Sequence, residues 1–124
     1  MPVFGTSQPQ TLEAGRPALV WDDEDVVTTA PESCSASVGL QRNEYFPNCF
    51  SAEFKFAADP GAIMVDLQVA DTNEDPYFVT KASFETGLND AFVGRIEATN
   101  IVAKFVRLKM VTLTNAVKVT ARFF

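Results

Sequence analysis

Histidine is absent from this chain of 124 residues. With it goes the side chain whose ordinary pKa best suits general acid–base work near neutrality, so neither a Ser-His-Asp nor a Cys-His arrangement can form within one chain. The glycine-rich phosphate loops and the nucleophile elbow are missing too: no G-x-x-x-x-G-K-[ST], G-x-G-x-x-G or G-x-S-x-G pattern occurs. Cysteine is scarce. Cys34 and Cys49 are too few for a disulfide scaffold at this length, and without a CxxC or any His they do not make a zinc site. A reducing compartment would leave both as thiols, and the spacing does not decide whether they pair. No apolar run approaches the ~20 residues needed to cross a bilayer, so no membrane partner is expected. Residues 1–5 lack the basic flank and apolar stretch of a secretory signal, which gives the expectation of a chain made and kept in a cytoplasm. Basic residues are few and scattered, ten Lys and Arg against sixteen Asp and Glu. A net charge of -6 is unsuited to a phosphate-backbone partner, so nucleic acid is not expected.

What the chain does have is apolar material. The hydrophobic fraction is 47%, with eleven Phe, enough to fill the core of one domain of this length. The texture changes along it. Residues 1–33 carry Pro2, Pro9, Pro17 and Pro31 with polar stretches such as Thr6-Ser7-Gln8, and proline removes a ladder donor. An extended N-terminal arm with short strands is expected there, the strand candidates being Ala18-Leu19-Val20-Trp21 and Val26-Val27-Thr28. Between them Asp22-Asp23-Glu24-Asp25 reads as a solvated loop.

Residues 34–124 read as an all-β domain, an antiparallel β-sandwich or jelly-roll. In Phe50-Ser51-Ala52-Glu53-Phe54-Lys55-Phe56 apolar residues fall at every second position, the mark of a strand with one buried face. Asp59-Pro60-Gly61 signals a turn, after which Ile63, Val65, Leu67 and Val69 alternate with Asp66 and Gln68. These two runs are expected to pair as a hairpin. Tyr77 to Phe84 is β-branched and aromatic. A weaker strand around Ala91 to Ile96 is interrupted by Gly94. Then Val106, Leu108 and Met110 face one side and Arg107 and Lys109 the other, and after Thr114-Asn115-Ala116 the run Val117 to Phe123 is expected as a second hairpin arm. Helical periodicity is poor throughout. Several short one-faced strands need two layers to bury their oily sides.

Candidate sites are sparse. Sixteen carboxylates make some close pair common by chance, so the expectation is a protein that is no enzyme and carries no cofactor. Asp71-x-Asn73-x-Asp75 places oxygen ligands as a calcium loop begins, but Pro76 and Ala82 stand where such a loop needs Gly and Glu. The residues therefore read first as a solvated turn, with Asp71, Asn73 and Asp75 the weak candidates for a cation that takes further ligands from elsewhere. Trp21, Tyr45, Tyr77 and Phe78 could form a sugar-stacking platform, although aromatics in a sandwich more often fill the core. Trp21 reads as core or interface. Phe123 and Phe124 are consecutive on a strand and cannot enter the same core. Phe105 lies on the face of Arg107 and Lys109. Trp21, Phe105, Phe123 and Phe124 are thus the candidates for a contact surface.

From about residue 50 to 124 the chain resembles small β-sandwich structural proteins of tailed-phage virions, of the head-decoration, head-fibre-base and neck-associated kinds. The likeness is carried by Phe54-Lys55-Phe56-Ala57-Ala58-Asp59-Pro60-Gly61-Ala62, by Asp66-Leu67-Gln68-Val69-Ala70-Asp71-Thr72, by Ala103-Lys104-Phe105-Val106-Arg107-Leu108 and by Leu113-Thr114-Asn115-Ala116-Val117-Lys118-Val119-Thr120-Ala121. Lys104-Phe105-Val106-Arg107-Leu108 is also similar to a late strand of discoidin-type and carbohydrate-binding sandwiches. The resemblance implies a virion subunit present in many copies, assembled in a host cytoplasm and docked on its own neighbours and on a major capsid or neck protein. The alternative is a carbohydrate-binding module.

Overall fold

The β-branched and aromatic runs form strands in the computed structural model, which describes residues 10–12, 16–29, 32–40 and 48–124. Expectations that fall on Pro2, Thr6-Ser7-Gln8, Pro9, Pro31 and Tyr45 lie outside these residues. Among the described residues nine strands follow one another: β1 (Gln10–Thr11), β2 (Ala18–Asp25), β3 (Val38–Gly39), β4 (Asn48–Phe56), β5 (Ile63–Ala70), β6 (Val79–Phe84), β7 (Val93–Ile101), β8 (Phe105–Leu113) and β9 (Lys118–Phe123). They make two sheets, one ordered β2-β9-β4-β7 and the other β1-β3-β8-β5-β6. Strands β2 to β9 cross from one sheet to the other at every step but β5 to β6, as in a jelly-roll, and β1 adds a short parallel strand to the edge of the second. The all-β sandwich expected from the periodicity is the fold.

The two expected hairpins are not hairpins. Strand β4 pairs with β7 and β9, while β5 pairs with β6 and β8. Residues 57–62 therefore arch from one sheet to the other, and residues 114–117 do the same between β8 and β9. The reason lies in the core: Phe54, Phe56, Val65 and Leu67 all point into one interior and are buried, and an arch lets both strands face it from opposite sides. The arches fasten to each other. Thr114 donates its amide to the Ala62 carbonyl at 3.0 Å and Asn115 donates to the Pro60 carbonyl at 2.9 Å. Gly61 sits between them at φ 71°, and a Cβ there would lie 3.0 Å from that of Thr114, so glycine answers both the conformation and the space.

Aromatic packing joins the layers. The ring of Phe54 meets Phe56 edge-on at 6.0 Å and, across the sandwich, Phe84 of β6 at 5.1 Å. Phe50 meets Phe123 at 5.8 Å. Gly94 does not interrupt its strand. A Cβ there would lie 2.5 Å from the Phe54 ring, so the missing side chain makes room for it.

Residues 18–25 are not apart from the first sheet. Strand β2 is an edge of the first sheet, paired with β9, and Ala18, Val20 and Trp21 belong to the core. Nor is Asp22-Asp23-Glu24-Asp25 a loop; it is the second half of β2, broken by bulges, with Asp23 at φ 49°. Main-chain pairing with β9 keeps the strand on the sheet despite its charge and its shifts of register. Val26 to Thr28, expected as a strand, is outside any.

Candidate functional site

On the outer face of the second sheet the alternation of β5 and β8 brings polar side chains opposite one another: Gln68 with Arg107 and Asp66 with Lys109. Such a face should be wet, yet Asp66, Gln68 and Arg107 are buried, Arg107 to 2% exposure. The segment between β5 and β6 covers it. Pro76 helps wind Asp75–Tyr77 into one 3-10 turn, which drops Asp75 and Phe78 onto the sheet. A terminal nitrogen of the Arg107 guanidinium lies 2.8 Å from Asp75 Oδ1, its Nε donates to Gln68 Oε1 at 2.7 Å, and its Cζ stands 4.1 Å from the centre of the Phe78 ring. A buried guanidinium needs this much: a carboxylate for its charge, an acceptor for its fork and a ring for its face. Beside it Asp66 accepts from Ser83 at 2.6 Å and from Thr80 at 3.1 Å. The network holds a loop down on a sheet.

The cation candidates separate accordingly. Asp75 is engaged by Arg107, Asp71 is exposed, and Asn73 is half-buried with its Oδ1 unpartnered. Among the described residues no group of three or more His, Cys, Asp or Glu could hold a metal ion. Of the contact candidates, Trp21 and Phe123 lie in the core at 1% and 0% exposure, the core being one of the two places expected for Trp21. Phe105 is half-buried, and Phe124 is exposed as the strand parity of the pair requires. Both thiols are free, Cys34 buried and Cys49 exposed.

A different surface gathers at one end of the sandwich. Strand registers place the start of β4 and β8 and the finish of β5, β7 and β9 at this end. Tyr77 and Val79 stand where β6 begins, Val102 just past β7 and Phe124 just past β9. They are four of the six large apolar side chains exposed among the described residues. Sequence alternation singled out only Phe124. The other three lie at strand ends, where a period-two pattern carries no face.

Two of the open clefts lined by described residues bear on catalysis. One of ≈ 390 Å³ is lined by residues 61–63 and 85–88 and carries a single carboxylate, Glu85. The other, of ≈ 340 Å³, lies against Gln10, Thr11, Arg16, Pro17 and Ala18. Neither lining brings two carboxylates together. No protein-family model matches this chain, and no curated protein matches it.

Proposed function

We propose that the chain is a non-enzymatic structural subunit of a phage virion, a capsid-decoration or capsid-associated protein that acts through contacts with its own copies and with a major capsid or neck protein. The observation that supports this most is the apolar end: Tyr77, Val79, Val102 and Phe124 are exposed together in a domain whose other large apolar groups are mostly buried. Exposed apolar groups gathered in one place are characteristic of contact surfaces. The jelly-roll topology is compatible, since capsid proteins use it, but lectins and other proteins share the fold. The sequence resemblance supplies the virion.

The test is solution mass by light scattering over a range of concentration. The expected result is a symmetric oligomer that Val79→Asp with Val102→Asp dissociates into folded monomers. A particle that keeps its mass with both substitutions would overturn the role given to this end.

A second reading, a carbohydrate-binding module, is favoured by one observation: Tyr77 is exposed at the rim, where a sugar ring could stack. Of the other platform candidates, Trp21 and Phe78 are buried, and Tyr45 lies outside the described residues. A glycan-array signal that Tyr77→Ala abolishes would favour this reading over the first.

A further inference from the structure

Among the described residues four strands stand at sheet edges, and three of them carry, over much of their length, the devices by which edges avoid pairing with other chains. Strand β2 has four carboxylates and two bulges. Strand β6 has a bulge against β5 and an exposed Lys81. Strand β1 is two residues long. Strand β7 is the least protected: nine residues without proline or lysine, irregular only where a register shift against β4 falls at Thr99 and Asn100, the latter at φ 57°, and with no described strand on its outer side.

The direction of its main-chain groups follows from register. Phe56 donates its amide to the Phe92 carbonyl at 3.0 Å, so the pairs 54–94, 52–96 and 50–98, each two residues further along, are the hydrogen-bonded ones of this antiparallel ladder. The amides and carbonyls of Val93, Arg95 and Glu97, within the regular part of the ladder, then point away from β4. Those of Val93 are already used by the preceding turn: its amide donates to Asn89 Oδ1 at 3.0 Å and its carbonyl accepts from the Asn89 amide at 3.1 Å. Among the described residues, Arg95 and Glu97 remain as the open edge.

We propose that β7 pairs antiparallel with β7 of a second copy of this chain, about a two-fold axis at Ile96. That register sets Arg95 opposite Glu97 of the partner copy and Glu97 opposite its Arg95, and both residues are among those whose main-chain groups point outward. Each such pair exchanges two main-chain hydrogen bonds and places opposite charges face to face on the exposed side. Within one chain Arg95 Nε lies 3.5 Å from Glu97 Oε2, with both side chains largely exposed; a surface pair of this kind is weak and leaves both groups able to turn to the partner copy. Centring the axis on Arg95 would oppose two guanidinium groups, and centring it on Glu97 two carboxylates, so the charges select the middle register. The result joins two four-stranded sheets into one. Its outermost strands are the two carboxylate-bearing β2 edges, so assembly through this contact stops at two. This contact is distinct from the apolar end and does not depend on the virion reading.

The test uses Arg95→Glu and Glu97→Arg, each on the full chain, followed by sedimentation velocity. Wild type should show concentration-dependent dimerisation. Each single variant sets like charges opposite each other twice per dimer and should weaken it roughly tenfold or more. Mixing the two variants should restore dimers as the mixed species, because the two carboxylates on the β7 edge of one chain then face two guanidinium groups on the β7 edge of the other. A wild type that stays monomeric, or a mixture that associates no better than either variant alone, would overturn the proposal. An oligomer that ignores the β7 variants but dissociates with Val79→Asp and Val102→Asp would overturn it while leaving the subunit reading intact.

Discussion

The outer faces of the two sheets are written in the same alternating code and end in opposite environments. On the β2-β9-β4-β7 sheet, Glu53 stands between Arg122 and Arg95, and all three are exposed. On the other sheet, Asp66 stands opposite Lys109 and Ser83, and Gln68 opposite Arg107 and Thr80, yet Asp66, Gln68 and Arg107 are buried. Polar residues at every second position establish which face is outer; whether that face is wet depends on what folds over it. Residues 71–78 cover the second sheet, and no described element covers the first in this way. The same residue types should therefore matter on one face and be nearly silent on the other.

Arginine gives the largest contrast. Arg107→Ala removes the partner of Asp75, the donor to Gln68 and the group stacked on Phe78, and leaves a void under the loop. We expect a loss of about 2–4 kcal/mol, below the cost of stranding a fully buried charge because Asp75 reaches solvent. Arg122→Ala on the other sheet should stay within about 0.5 kcal/mol. Urea denaturation of the pair measures both. Arg107→Met, which keeps much of the volume over Phe78, separates packing from charge: recovery of most of the loss would make the network chiefly a packing device. Equal losses for the two Arg107 variants and Arg122→Ala would break the comparison.

Aspartate comes next. Asp66 accepts from two hydroxyls within the covered face, so Asp66→Ala leaves Ser83 and Thr80 without their acceptor and should cost about 1–3 kcal/mol. Glu53→Ala, its counterpart in the open, should again lie within about 0.5 kcal/mol. Hydrogen exchange adds a spatial readout, since the amides of β6 should lose protection in the first variant and not in the second.

How much of this the sequence disclosed divides along the same line. Strand existence was legible from β4 onward because one-faced burial imposes a period of two, and Phe54, Val65, Leu108 and Val119 show it. Partner choice was not. The turn signals at Asp59-Pro60-Gly61 and Thr114-Asn115-Ala116 mark a reversal, but the same residues serve a hairpin within a sheet and an arch between sheets, and only the demand that both strands face one core decides. The carboxylates of β2 misled for a related reason. Their repulsion argues for solvent, and as an edge strand most of them have it while β9 still holds their backbone. The pairing of Arg107 with Asp75 joins residues far apart in the chain and follows no local pattern. Val79 and Val102 escaped notice because each sits where a strand begins or has just ended, and Tyr77 was singled out for its ring and not for its place at this end.

The smallest effect tests whether the cover is held by charge at all. Asp75 is bonded to a buried guanidinium, but its own side chain is 50% exposed, so water competes for the carboxylate and the field between the two groups is partly screened. Asp75→Asn keeps the shape and a hydrogen-bond acceptor and removes only the charge. We expect it to cost about 1 kcal/mol or less, and the difference from wild type should shrink as salt is raised. If the loss instead approaches that of Arg107→Ala and ignores salt, the ion pair is electrostatically as buried as its arginine half. The loop would then close the face off from water more fully than the exposure of Asp75 implies, and the contrast between the two outer faces would be sharper than drawn above.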